Sequence, residues 1–310
     1  MQYFHGTKID FISKRNIFFT VSAILITVGI IATGILGPVL GIDFTGGTQI
    51  DIKFKNTVQI EDIRTAVDGA GLTGSEIKTS GTDNSYLIRV KGVKDAPVLV
   101  KEALTAQFGT DSYELLKSDE VGAKIGKELW LDAMLAVLLA VVGILIYIAF
   151  RFEFVFGLGA VAALIHDVLI TFSGIVIFHH LGVINLEIDQ AILAGLLTVV
   201  GYSINDTVII FDRIRENKEN IKGKPLVYLV NTSINETLSR TVNTVATTLI
   251  VLITLLFFGG SALQGFAFTM LIGITTGTYS SIFIASSFVV FYNEKVKKVD
   301  VKGGANAAVV

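Results

Sequence analysis

The chain has 310 residues, of which 52% are hydrophobic and 17% charged, with a mean hydropathy of +0.67. That is too apolar for an ordinary soluble domain and points to a protein that crosses a membrane several times. A net charge of −2 offers no basic field to nucleic acid, and the absence of Cys excludes disulfides, thiol catalysis and Cys-based zinc or iron–sulfur sites.

The first apolar segment, Ile17–Leu36, follows Lys14 and Arg15. Its run of about 20 residues is too long for a signal-peptide core, and no small-x-small cleavage site follows, so it reads as an uncleaved anchor. Residues 38–128 then change character. Thr48-Gln-Ile-Asp-Ile-Lys-Phe54 alternates strictly, which predicts a strand with Ile50, Ile52 and Phe54 on one face. Ile60, Ile63, Val67 and Ala70 recur at helical spacing. Ser75–Ser80 and Ser85–Lys91 read as a strand pair with a turn at Gly81–Asn84, Ala96–Phe108 as a helix and Ser112–Lys117 as a closing strand. The order β-α-β-β-α-β predicts one small α+β ferredoxin-like domain, a fold that says nothing specific about function.

Five further segments, Leu129–Phe150, Phe154–Phe178, Asp189–Phe211, Val242–Phe258 and Gly265–Tyr292, are long enough to cross a core of about 30 Å at roughly 1.5 Å per residue. The fold class is therefore an α-helical membrane protein with six transmembrane helices and an external domain. The expected divisions are 1–37, a cytoplasmic N-terminus and first span; 38–128, the external domain; 129–292, the five-helix remainder; and 293–310, a cytoplasmic tail. Lys14, Arg15, Arg151, Arg213, Arg215, Lys295 and their basic neighbours lie in one set of short segments, whereas the loops around His179–Glu187 and Gly259–Leu263 contain no Lys or Arg. Both termini are thus expected in the cytoplasm. The segment Arg213–Arg240 reads as lying along that surface, against anionic lipid.

Asp206 and Arg240 stand in or at the edge of spans otherwise fit for lipid. A charge at bilayer depth costs at least roughly 2.5–3.5 kcal/mol and normally faces a partner or a polar path. Thr198, Tyr202 and Asp206 share one helical face, and Arg240 opens a stripe with Asn243, Thr244, Thr247 and Thr248. An acid and a base facing each other there suggest a proton or ion relay; the competing readings are a packing residue and an interfacial anchor. His166-Asp167 reads as either a structural pair or a relay member, and Asn205 as interhelical packing. Asp212 reads as an interface charge, and Glu187 and Asp189 as a solvated rim at the outer mouth of the fourth span. Gly273-Ile-Thr-Thr-Gly277 fits small-xxx-small packing. His179-His180 lacks the further ligands a metal site needs.

The octapeptide Gly41, Ile42, Asp43, Phe44, Thr45, Gly46, Gly47, Thr48 permits a tight turn into the first strand, with Asp43 and Thr45 able to bond free backbone groups. It is joined by Phe150-Arg-Phe-Glu-Phe154, Ala163-Leu-Ile-His-Asp-Val168, a run from Val200 to Glu216 containing Asn-Asp206-Thr, and Asn235-Glu-Thr-Leu-Ser-Arg240-Thr-Val-Asn-Thr244. In that order these motifs resemble the bacterial SecD/SecF protein-export family over nearly the whole chain. The resemblance implies half of an RND-like unit, with the other half supplied by SecD as a separate chain. It implies work alongside the SecYEG channel (with SecA indirectly and YajC as a further partner) on unfolded exported proteins in the cell membrane, driven by the proton-motive force. It also carries the proton-pathway roles onto Asp206 and Arg240, and implies no cofactor.

The runner-up is an RND-like half-transporter for a small molecule or lipid, although such exporters usually duplicate their spans within one chain. An enzyme is not expected. Asp206 is preceded by Ser-Ile-Asn rather than Gly-x-Gly, and neither His-Glu-x-x-His nor Gly-x-Ser-x-Gly occurs.

Overall fold

The computed structural model describes residues 7–79, 84–91, 93 and 95–301. In chain order the elements are α1 (Arg15–Leu36), α2 (Ile42–Thr45), β1 (Gly47–Phe54), α3 (Ile60–Gly69), β2 (Glu76–Thr79), β3 (Ser85–Val90), α4 (Ala96–Phe108), β4 (Tyr113–Val121), α5 (Ala123–Arg151), α6 (Phe154–His180), α7 (Gln190–Asn220), α8 (Leu226–Phe258), α9 (Gly260–Ser280), a π-helical turn (Ser281–Ala285) and α10 (Ser286–Lys295). Two compact units result. One comprises Pro38–Val137 and Phe178–Leu193; the other comprises the chain up to Gly37, Leu138–Ile177 and the chain from Ala194 onward.

In the first unit the four strands form one antiparallel sheet in the order β2-β3-β1-β4, as expected for the ferredoxin-like pattern. The alternation in β1 works as the sequence predicts. Ile50, Ile52 and Phe54 point into a core with Ile88 of β3, Ile63 and Val67 of α3, and Val100 and Leu104 of α4. The closing strand runs further than Lys117 because the register shifts between Asp51 and Ile52, leaving Leu116 as an extra residue in β4. That bulge exposes both Leu115 and Leu116 and breaks the alternation that would have marked the strand. Of the expected turn Gly81–Asn84, only Asn84 lies among the described residues; its φ is 63°.

The second face of the same sheet is also covered. Asp51, Leu87 and Arg89 are buried, and Arg89 pairs with Glu187. Next to it, Leu40 bridges Ile188 in parallel, with Gly41 N–H donating to the Ile188 carbonyl and Ile188 N–H to that of Val39, each at 2.8 Å. Glu187 is therefore a buried ion-pair partner, not part of a solvated rim.

Among the described residues, six helical stretches are long and apolar enough to span a membrane: Ile12–Leu36, Ala123–Arg151, Phe154–His180, Gln190–Asn220, Leu226–Phe258 and Ala262–Lys295. In the helical unit, small residues set the closest approaches. A Cβ on Gly273 would lie 2.1 Å from Val199, one on Gly277 3.1 Å from Ser203 and one on Gly195 3.1 Å from Thr269, so α7 and α9 meet nearly backbone to backbone. Ahead of α1, the chain is held by α8: Asn235 accepts from Ile9 N–H at 3.0 Å and Asn231 from Phe11 N–H at 2.9 Å.

The stretch Arg213–Arg240 corrects the expectation of a segment lying flat. α7 runs nine residues past Phe211, the chain turns at 221–225, and α8 rises from Leu226. Polar bonds hold the hairpin together. Glu236 accepts from both Arg213 and Asn217 at 2.7 Å, and Asn217 donates to Ser233 at 2.9 Å. Helix formation does not stop where the apolar run stops, because exposed helical turns continue on good helix formers and i,i+3 pairs such as Arg213–Glu216.

Candidate functional site

Asp206 lies on α7 and is 2% exposed. Among the described residues its carboxylate accepts one hydrogen bond, from Thr278 Oγ1 of α9 at 3.4 Å, and that hydroxyl also reaches the Ile274 carbonyl at 3.0 Å. Arg240, on α8, is exposed. Its charge reaches Asp206, but among the described residues it makes no ion pair within 4.0 Å. A carboxylate so poorly bonded and so deeply placed is costly as a bare anion, and a proton or cation joining it removes that cost.

One helix away, Asp167 has the opposite status. It is fully buried, accepts hydrogen bonds from Ser280 at 2.7 Å and from Ser203, and lies 2.9 Å from His166 Nδ1. Ser203 lies one helical turn before Asp206, and Thr278 lies two residues before Ser280. The two carboxylates therefore address neighbouring groups of the same two helix turns while differing in how well they are satisfied. Thr207 and Ser281, joined at 2.9 Å, continue the polar seam between α7 and α9 into the π-helical turn.

The remaining expected positions divide. Tyr202 is half-buried, its hydroxyl 3.5 Å from Thr248 Oγ1. Asn205 is exposed within the chain, so it does not pack across its helices as expected. Asn243 and Thr247 are exposed as well, with Thr247 bonded back to the Asn243 carbonyl at 3.0 Å. Asp212 pairs with Arg151 across helices. His179 Nδ1 accepts from Leu186 N–H at 3.1 Å.

The glycine-rich octapeptide forms a joint. Ile42, Phe44 and Thr48 are buried, and Phe44 packs edge-on against Trp130 at 5.4 Å. Thr45 Oγ1 bonds the Gly41 carbonyl at 3.0 Å, and Asp43 accepts from Gln190 N–H at 3.0 Å, capping α7. Gly46 has φ 71° and a Cβ there would lie 2.7 Å from the Ala123 Cα; Gly47, with φ 134°, starts β1.

Residues 100–295 match the family model for the C-terminal part of protein export membrane proteins SecD/SecF, and residues 31–58 match the SecD/SecF GG motif. The chain belongs to the SecD/SecF family. It is 43% identical over 297 residues to the protein translocase subunit SecF of Desulfurispirillum indicum, covering 93% of this chain and 92% of that one. To the protein translocase subunit SecF of Thermodesulfovibrio yellowstonii it is 42% identical over 298 residues, covering 93% and 96%. Among solved structures it is similar to SecDF of Thermus thermophilus, at 36% identity and TM-score 0.82, covering 95% of this chain. A SecDF structure in a super-membrane-facing form matches at the same identity with TM-score 0.68. The chain spans 40% of the length of each of those SecDF chains. This SecD/SecF-family chain is thus a multi-pass membrane protein of the protein-export machinery.

Ser22, Ser203, Thr278, Tyr279 and Ser280 escaped the sequence reading, although they build the surroundings of both carboxylates. The run Thr275-Thr-Gly-Thr-Tyr-Ser-Ser281 is a seven-residue polar stretch inside an apolar span, and that was the signal available.

Proposed function

We propose that the chain pairs with SecD to complete an RND-like unit of the inner membrane, both termini cytoplasmic, and that the proton-motive force acting on Asp206 and Arg240 drives exported proteins through and away from the SecYEG channel. SecA acts indirectly, through the channel, and YajC is an accessory partner in this reading.

One observation carries it: the membrane unit exposes two kinds of surface. On α1 and α5 the exposed side chains are predominantly apolar, including Ile24, Leu25, Val28, Leu135, Leu138 and Leu139, the polar exceptions being Asn16, Thr20 and Thr27 on α1 and Lys124, Lys127, Glu128 and Asp132 toward the start of α5. On α7 and α8 they include Asn205, Arg240, Asn243, Thr244 and Thr247. A guanidinium turned toward hydrocarbon without a counter-charge costs at least roughly 2.5–3.5 kcal/mol, so a protein surface covers this stripe. The solved relatives carry more than twice this chain's length, which is the room a second half occupies.

Protonation then acts through electrostatics. A proton on Asp206 cancels its hold on Arg240 and changes what α7, α8 and the covering subunit prefer. One charge moving through the membrane field supplies about 2.3 kcal/mol per 100 mV, enough to bias two arrangements appreciably. Two solved forms among the relatives accord with such a pair of arrangements.

The absence of native Cys makes the interface directly testable. A single Cys at Asn243 carrying a thiol-coupled photo-crosslinker is expected to attach to SecD in native membranes on illumination, and one at Leu139 is not. Equal behaviour of the two, with or without SecD, removes the basis of the reading. Asp206→Asn is expected to co-purify with SecD and lose proton-dependent export.

A further inference from the structure

We propose that His166 and Asp167 form a second proton-holding site, an imidazolium–carboxylate pair whose extra proton exchanges along a row of two hydroxyls, Ser22 and Tyr279. The assignment stands on hydrogen-bond directions and is independent of the roles given to Asp206 and Arg240.

Counting protons gives a self-consistent loaded arrangement. The Tyr279 phenol has one hydrogen, and in that arrangement it goes to the Phe18 carbonyl at 3.1 Å. At the Ser22–Tyr279 contact of 2.9 Å, Ser22 is therefore the donor. Its only hydrogen is then used, so at the 3.1 Å contact with His166 Nε2 the ring donates. On the other side, His166 Nδ1 faces Asp167 Oδ1 at 2.9 Å, while Oδ2 takes the Ser203 and Ser280 hydroxyls. A carboxylate already accepting from two hydroxyls is favoured as the anion, so Nδ1 donates as well. In this loaded arrangement both ring nitrogens carry hydrogen, and the pair is neutral overall, which lowers the cost of burying it.

Among the described residues, the helices packed around the pair present few other titratable groups. α7 carries Asp206, one turn beyond Ser203. α9 carries Tyr279, whose ring stacks on His166 with centroids 5.7 Å apart. α1 carries Arg15, two turns before Ser22 and already paired with Glu294 of α10.

Release of the proton reverses the row. The proton on His166 Nε2 passes to Ser22 Oγ, the Ser22 proton passes to the Tyr279 oxygen, and the Tyr279 proton passes to water beyond the Phe18 carbonyl. Tyr279 then donates to Ser22 and Ser22 to Nε2. The pair goes from neutral to −1, and the Phe18 carbonyl loses its donor.

Nitrogen-15 NMR of histidine-labelled full-length chain, with SecD in lipid bilayers, tests this. The chain has four His, and His166→Gln assigns the signal by removing it. Both His166 nitrogens are expected to be protonated at neutral pH. Asp167→Asn is expected to leave one of them bare, and Tyr279→Phe to slow exchange of the Nε2 proton with water. Asp206→Asn is expected to leave the ring doubly protonated, which separates this site from the relay proposed above. A bare ring nitrogen in the unmodified chain, or a doubly protonated ring in Asp167→Asn, overturns the site. An unchanged exchange rate in Tyr279→Phe overturns the hydroxyl row.

Discussion

Arg89 of β3 and Glu187, two residues before the cap of α7, close a buried ion pair with side chains 3% and 4% exposed. Glu76 stands 3.5 Å from Arg89 and Lys78 3.6 Å from Glu187, and burial holds the Arg89 guanidinium below its ordinary proton affinity despite the attraction of Glu76 and Asp51. Removing one partner leaves the other buried with only its longer contact, Arg89 to Glu76 or Glu187 to Lys78. Arg89→Ala and Glu187→Ala are each expected to cost about 3–5 kcal/mol, and the double change Arg89→Met with Glu187→Leu to recover most of it. Thermal unfolding of the three variants decides: equal losses in single and double variants contradict the pairing.

Glycine is required at Gly46 for a reason that does not hold at Gly37. Both have positive φ, 71° and 74°, but a Cβ at Gly37 meets open space while one at Gly46 meets the Ala123 backbone. Gly37→Ala should cost about 1–2 kcal/mol from backbone strain alone. Gly46→Ala adds overpacking, for about 2–5 kcal/mol in all. Unfolding midpoints of the two variants, compared in the same detergent, measure the difference.

The contact between α7 and α9 at Gly273 and Val199 is a matched pair. Gly273→Ala is expected to destabilise by about 1–3 kcal/mol because its methyl would overlap Val199. Val199→Ala opens the space, so the double variant should be more stable than the sum of the singles predicts, by roughly 0.5–3 kcal/mol. Additive losses would mean the helices separate there instead of interlocking.

Asp189 gives a pH dependence with a definite sign. Burial, aided by the nearby Asp43 charge, raises its carboxyl above the ordinary 3.8, against the bond from Ile192 N–H at 2.7 Å. The folded chain therefore binds this proton more tightly than the unfolded chain. The stability it contributes is fully present below pH 3.8 and is lost as pH rises through the raised value. Asp189→Asn keeps an acceptor for the cap and does not titrate. The unfolding midpoint of the native chain should fall relative to Asp189→Asn across that window and run parallel above it.

The sequence revealed what depends on local periodicity. Ile50, Ile52 and Phe54 announce a strand face by alternation, and the apolar spans announce themselves by length. It did not reveal what depends on partners far along the chain. Nothing local marks Asp51, Leu87 and Arg89 as buried, because Glu187, which pairs with Arg89, comes about a hundred residues later. The Leu116 bulge hid the full length of β4, and polar helical turns beyond Phe211 and before Val242 hid the α7–α8 hairpin. At the polar centre the ionisable residues were legible one by one. Their inequality was not: Asp167 is satisfied only because Ser203 and Ser280 come from two other helices, and among the described residues Asp206 is left with Thr278 alone.

Proton flux into vesicles containing the chain with SecD, driven by an imposed pH gradient, tests the central claim most directly. Asp206→Asn and Arg240→Met are each expected to reduce the flux at least about tenfold, the equivalent of 1.4 kcal/mol or more in the barrier, with the complex still assembled. Flux at the native level in both variants would contradict the proposal that this carboxylate and this guanidinium carry the coupling.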